Sequence, residues 1–238
     1  MSAKITIITP TTGKNGLFKL IESLKGQSVP FRHILLWDDK REDAFLNSIP
    51  TPLDAPFDFI RVKQPEELNS DNRYSVIVPS SFVQGGACGS SLRAVGLMLA
   101  DTPYVTFADD DVWLEPSHLE DMLKAISSTD SNWAYCRRKI WASAEECIGI
   151  DNFESVGDSE DRKVPYEMVD NNCMVFKRRF GTSGAVLYRE TKEYNDDRLF
   201  YGFLKQHAGV PMKVSMATVN QICPKRLDTM FRQNCTKI

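Results

Sequence analysis

The stretch Tyr104-Val105-Thr106-Phe107-Ala108-Asp109-Asp110-Asp111-Val112-Trp113 is an apolar run that ends abruptly in three carboxylates. A short β-branched and aromatic segment followed by a polar break reads as a buried strand, which puts the acids at its carboxyl end. In open α/β sheets that edge is where ligands bind. Three adjacent acids repel one another, so a fold that keeps them together is expected to supply a cation or a set of hydrogen-bond donors. Carboxylate oxygens suit Mg2+ or Mn2+. Capping and the helix dipole explain one Asp after a strand; they do not explain three.

Upstream of this stretch, Lys4 to Thr9 is a β-branched run stopped by Pro10 and followed by Thr11-Thr12-Gly13. Leu17, Leu20, Ile21 and Leu24 then recur at helical spacing. Arg32 to Trp37 reads as a second strand, also ending in acids, Asp38-Asp39. Residues 41–56 read as loop, Phe57 to Val62 as a third strand, and Tyr74 to Val78 as a short strand or extended loop. Gly85-Gly86-Ala87-Cys88-Gly89 opens a helix carrying Leu92, Val95, Gly96 and Leu99, whose small residues allow close packing. After the triad, Pro116-Ser117 starts a helix with Leu119, Met122, Leu123 and Ile126. The order β-α-β-β-α-β-α predicts an α/β fold with a mostly parallel sheet.

The second half has another texture. Trp133 to Cys136 reads as a strand, and the acid-rich stretch from Ser143 to Lys163 is expected to be a mobile loop or insertion. Two apolar segments follow, Asn172 to Phe176 and Ala185 to Tyr188, joined by Lys177 to Gly181. Asp196 to His207 predicts an amphipathic helix with two acids at its start, and Val210 to Val219 a last strand. A basic tail carries Lys225, Arg226, Arg232 and Lys237. No internal repeat or boundary divides the chain, so one domain over 1–238 is expected, with halves at 1–127 and 128–238.

Composition narrows the class. The chain has 238 residues, 42% hydrophobic and 26% charged, which is ordinary for a globular protein and sets aside disorder and fibrous classes. A net charge of −3 leaves no electrostatic footprint for nucleic acid. An anionic ligand would have to be met locally, by a metal or a few Arg and Lys residues. Six cysteines are scattered without C-x-x-C or a nearby His, which argues against zinc and for free thiols. No apolar run approaches the ~18 residues of a spanning helix. Met1 to Ile5 runs directly into a strand without a signal-peptide layout, and a cytoplasmic setting is expected.

Several other residues are candidates for chemistry. Asp38-Asp39 could bond a ligand base or ribose, as acids at such strand ends do, or could form an Asx turn. Arg93 is either a solvated helix residue or a phosphate partner. Gly85 to Gly89 matches no phosphate-cradling loop. Asp196-Asp197 is either a helix cap or a catalytic pair within reach of a substrate proton. His33, His118 and His207 are isolated and expected to be structural. Trp113 and Trp141 are expected mainly in the core, with sugar stacking as the alternative.

Taken in order, the ITIITPTTG strand and loop, HILLWDD, SLRAVG and YVTFADDDVW resemble the nucleotide-binding half of family 2 glycosyltransferases of the GT-A fold. The resemblance covers Lys4 to Ile126 and continues more loosely to His207; FADDD behind an upstream WDD is its most specific part. It implies a GT-A-type, Rossmann-like central sheet flanked by helices, with a smaller mixed acceptor-side region. It also implies an inverting, metal-dependent transfer of a hexose from a nucleotide diphosphate sugar, with a UDP-sugar favoured, to a hydroxyl of a glycan or glycoconjugate acceptor. Thr9, Pro10, Thr11, Asp38 and Asp39 would hold uracil and ribose. Asp111, with Asp109, would hold Mn2+ or Mg2+, Asp109 or Asp110 would lie nearer the ribose, and Arg93 is the helix Arg that precedes the motif. YNDDRLFYGFL is similar to the helix whose acid is the base, so Asp196 or Asp197 takes that role; the family's usual Glu-Asp is Asp-Asp here. The chain lacks the C-terminal metal-binding His of some GT-A enzymes, leaving Arg226 or Arg232 to meet the diphosphate, and the loop from Ser143 to Lys163 would close over the donor. It is also similar to compact glycosyltransferase domains of chlorella viruses, which would place it in host cytoplasm. The alternatives are a glycoside hydrolase, a sugar nucleotidyltransferase and a nucleotide-sugar-binding module without turnover.

Overall fold

The computed structural model describes residues 2–11, 16–38, 57–63, 75–77, 89–159, 164–188 and 195–238. The first half comprises β1 (Ile5–Thr11), α1 (Gly16–Lys25), β2 (Phe31–Asp38), β3 (Phe57–Lys63), β4 (Ser75–Ile77), α2 (Ser90–Leu99), β5 (Tyr104–Phe107), β6 (Val112–Leu114) and α3 (His118–Thr129). The second comprises β7 (Trp133–Trp141), β8 (Cys147–Ile150), β9 (Met174–Lys177), α4 (Arg178–Gly184), α5 (Asp196–His207), β10 (Met212–Ile222) and α6 (Asp228–Asn234). Short 3-10 turns at Asn171–Cys173, Ala185–Tyr188 and Lys225–Leu227 join them.

The described strands form one sheet in the order β4-β3-β2-β1-β5-β9-β7-β10-β6, with β8 paired to β7. From β4 to β5 every pairing is parallel. Beyond β5 the sheet is mixed: β9 is antiparallel to both β5 and β7, β7 and β10 are parallel, and β6 is antiparallel to β10. The α/β class with a mostly parallel first half and a mixed second region is the architecture that the sequence predicts.

The helical stripe Leu17, Leu20, Ile21 and Leu24 is buried along α1. Gly96 of α2 lies so close to β1 that a Cβ there would sit 2.4 Å from Ile8 Cγ2, which accounts for the small residue in an otherwise bulky stripe. β1 does not stop at Pro10 but runs on to Thr11. The Ile8 carbonyl accepts from the Ala108 N–H, so by alternation the backbone of Pro10 faces the same side, past the end of β5. A proline costs no ladder bond there. Phe107, Phe176, Tyr188 and Phe200 close the core between β5, β9 and α5, with centroids 5.0–6.2 Å apart. Such pairs contribute about 0.5–1.5 kcal/mol each beyond their burial.

The acid-rich stretch after Ser143 departs from expectation. Its described part, 143–159, forms β8 on β7 and then a tight turn in which Asp151, Ser155 and Val156 are fully buried. The reason is Arg138 of β7: its Nε bonds Asp151 Oδ2 at 2.9 Å and its Nη2 bonds Glu154 Oε2 at 3.0 Å, so two acids of this stretch neutralise a buried cation while Glu145, Glu146 and Asp158 stay exposed. Residues 143–159 are an anchored hairpin and turn rather than the mobile loop expected; residues 160–163 lie outside the described set. Among the described residues no helix is long and apolar enough to cross a membrane. The described cysteines are all free thiols, Cys147 half-buried and the others buried.

Candidate functional site

Because β5 ends at Phe107, the acids that follow it lie where the β1 edge and the start of β9 converge. Asp110 is buried and accepts from Thr11 Oγ1 at 2.8 Å. α1 begins against the same backbone: a Cβ at Gly16 would lie 2.3 Å from the Asp110 carbonyl oxygen, so only glycine permits this approach. Asp109 turns the other way. Its Oδ1 accepts from Arg93 Nη2 at 2.6 Å and its Oδ2 from Asn172 Nδ2 at 3.2 Å, while its N–H donates to Asn172 Oδ1 at 2.6 Å. Asp111 is half-buried at the turn into β6, its carbonyl accepting from the Ile222 N–H at 3.2 Å.

Arg93 joins this cluster to the late Asp pair. It is 4% exposed on α2, and its Nη1 lies 3.4 Å from Asp196 Oδ2, which also accepts from Ser90 Oγ at 2.8 Å. Burial opposes the charge on Arg93, but the Asp109 and Asp196 carboxylates outweigh it and hold the guanidinium above its ordinary pKa. Asp196 is thereby pinned to α2. Asp197, its neighbour at the start of α5, accepts only from the Arg198 N–H, at 2.8 Å, among the described residues. Burial first, and then the charges of Asp170 and Asp196, push the Asp197 carboxyl up to about 7.

A second chain of contacts, absent from the sequence reading, backs these acids. Asp170 Oδ1 accepts from Asn172 N and Nδ2 at 2.9 and 2.7 Å, and its Oδ2 from Arg138 Nη1 at 2.5 Å. Arg138 is 3% exposed and also bonds Gln221. Burial alone would raise Asp151, but Arg138 and the N–H groups of Glu154, Phe153 and Ser155 hold it below the usual range. For Glu154 burial wins and its carboxyl lies above that range. The one textual signal was Asp170-Asn171-Asn172 directly before the apolar run of β9, a polar break at the entrance of a buried strand. Since β9 is antiparallel to β5, that entrance lies beside the exit of β5.

The structure thus brings Thr11, Arg93, Asp109, Asp110, Asp196 and Asp197 together, and adds Ser90, Asp170, Asn172 and Arg138. Thr9 points elsewhere: it is fully buried and its hydroxyl bonds His33 Nε2 at 2.8 Å, so it serves the core. Pro10 is buried against Gly89, its Cβ 2.7 Å from where a Cβ would be on that glycine. Asp38 ends β2, and Asp39 lies outside the described residues. Trp113 and Trp141 do not form an open stacking platform. Their rings pack on each other at 5.4 Å, Lys19 Nζ lies 3.1 Å over Trp113, and Trp141 Nε1 bonds Asn220. Arg232 bonds Asp228 and Glu146.

No three His, Cys, Asp or Glu side chains converge as a closed metal site among the described residues. The donor set suits an open site instead. A carboxylate offers about four lone-pair positions, so Asp109 keeps acceptor capacity beyond Arg93 and Asn172. Mg2+ is commonly held by one or two carboxylates together with substrate phosphates.

No protein-family model and no curated protein sequence matches the chain. Solved structures do. The chain is similar to S. aureus TarS 1–349 at 16% identity and a TM-score of 0.64, over 92% of this chain and 60% of that one. In complex with UDP-GlcNAc, TarS 1–349 matches at 16% identity and 0.66, over 93% and 59%. In complex with UDP it matches at 15% and 0.62, over 96% and 63%. The chain therefore has this α/β fold and spans about three-fifths of the length of those structures.

Proposed function

We propose that the chain is an inverting, divalent-metal-dependent glycosyltransferase that moves a hexose from a UDP-sugar to a hydroxyl of a glycan or glycoconjugate. The observation that carries the reading is Arg93, which ties the acids after β5 to the acids that start α5 and so makes one site of two distant motifs. The similarity to TarS in complex with UDP-GlcNAc and with UDP supports a nucleotide sugar as donor.

Within this reading the two late acids divide the work. Asp196, held by Ser90 and Arg93, fixes the start of α5. Asp197 is the base: with a carboxyl near 7 it is close to the operating pH, where general bases are most effective. The acceptor oxygen attacks the anomeric carbon as the bond to the diphosphate oxygen breaks, the configuration inverts, and the hydroxyl proton passes to Asp197. Thr11 and Asn172 orient Asp110 and Asp109. Asp111 and Asp109 are the residues that would hold the divalent cation, which when bound supplies positive charge at the departing diphosphate.

A thermal-shift panel of nucleotide sugars with and without Mn2+ tests this. A donor at ~100 Kd should add about 2.7 kcal/mol of stability, the metal should be required, and Asp111→Asn should abolish the gain. A panel without any metal-dependent shift, or an Asp111→Asn protein that keeps it, refutes the proposal.

A further inference from the structure

We infer that the face of α5 just beyond the base is a groove for an oligosaccharide acceptor, holding sugar units past the one that reacts. The inference rests on the transferase reading above and names its acceptor class. A groove of about 480 Å³ is lined by Glu167, Arg198, Tyr201, Gly202, Lys205 and Gln206. Five of these occupy one helical stripe, at i, i+3, i+4, i+7 and i+8 from Arg198. At 1.5 Å per residue the stripe extends roughly 12 Å, longer than a single pyranose ring. Asp197 stands one helical turn before Tyr201, and its charge and that of Arg198 both act on Tyr166, which places the start of the stripe beside the base.

The chemistry of the walls suits sugar. Arg198 makes no ion pair among the described residues, and its guanidinium lies 4.7 Å from the ring centroid of Tyr166, which leaves its donors available to hydroxyls. Glu167 and Lys205 pair with each other on the groove wall and offer both acceptors and donors. The aliphatic stems of Arg198 and Lys205 present C–H surface suited to pyranose faces. Gly202 keeps the floor low: among the described residues a Cβ there would meet nothing within 4 Å. A bulky side chain at 202 would therefore fill the groove without disturbing the fold.

The test is binding of the full chain, with UDP and Mn2+ present, to immobilised gluco-, chito-, manno- and galacto-oligosaccharides from one to four units. Wild type and Gly202→Ala should bind at least one series about tenfold more tightly at three units than at one, a gain of about 1.4 kcal/mol. Gly202→Trp should bind all lengths alike. Retention of no glycan by wild type, equal affinity for all lengths, or a length dependence that survives Gly202→Trp overturns the inference. The UDP-sugar thermal shift on the same samples separates the two readings: its absence refutes the transferase, whereas an intact shift with a flat length series refutes only the groove.

Discussion

Replacing Asp197 by Asn should stabilise the fold at neutral pH while removing transfer. The folded chain holds the Asp197 carboxyl near 7, from an ordinary value near 3.8, because burial and the charges of Asp170 and Asp196 disfavour the anion. Between about pH 4 and 7 the folded state therefore binds a proton that the unfolded state has released, so stability falls as pH rises through that window and is level above it. The gap corresponds to about 4 kcal/mol at 1.36 kcal/mol for each tenfold change. Asn carries no charge and is free of this penalty. The stability difference between Asp197→Asn and wild type should thus grow by up to about 4 kcal/mol from pH 4 to pH 8, or about 8–16 °C in Tm for a chain of this size. Urea denaturation at the two pH values, without nucleotide or metal, reads the change in that difference. Packing of the carboxamide cancels because it is common to both conditions. Transfer should drop by about 10²–10⁴. A pH-independent stability difference, or a variant that still transfers, would refute Asp197 as a base held near neutrality by its surroundings.

Three further substitutions probe the supports of the site. Asp170→Asn removes the charge that acts most strongly on Asp197 after burial, so the acid limb of the kcat–pH profile should move below its wild-type position; an unmoved limb would separate Asp170 from the base. Arg93→Gln leaves the Asp109 and Asp196 carboxylates without their guanidinium and should cost about 3–5 kcal/mol in urea denaturation. A loss under about 1 kcal/mol would show that neither contact matters to the fold. Gly96→Val puts a Cβ 2.4 Å from Ile8 Cγ2 and should lower stability by about 1–3 kcal/mol through overpacking; an unchanged Tm would mean that α2 can retreat from β1.

Local pattern carried much of the fold. α1 was legible because four apolar residues at helical spacing all face the core, and β5 because a β-branched run met a wall of acids. Pairing direction was not legible. Nothing in Met174 to Lys177 says that this segment runs antiparallel to β5, and that direction alone sets Asn172 beside Asp109. The Ser143 to Lys163 stretch misled for a related reason: its acids look like solvated loop chemistry until Arg138, buried on β7, is placed among them. Thr9 and Thr11 differ only in what lies opposite, His33 for one and Asp110 for the other. The different surroundings of Asp196 and Asp197 likewise depend on α2, which among the described residues reaches the first carboxylate and not the second.

The same contacts set a condition on any diphosphate ligand. Around the site, the carboxylates of Asp109, Asp110, Asp111, Asp151, Asp170, Asp196, Asp197 and Glu154 outnumber two buried guanidiniums, Arg93 and Arg138, both already engaged by carboxylates. An incoming dianion would add repulsion to a site where Asp197 and Glu154 already resist ionisation. Because both buried guanidiniums are engaged, a cation that arrives with the ligand is expected to offset a diphosphate, beside what Arg198 at the start of α5 can supply. A divalent cation held partly by Asp111 and partly by the phosphates would do so, which makes metal and nucleotide bind as a unit. Calorimetry should then find that UDP alone binds weakly, that Mn2+ alone binds weakly, and that each strengthens the other by the same factor, as linkage requires. Tight binding of UDP in a chelator would mean that the positive charge comes from the protein itself and would remove the electrostatic case for the metal.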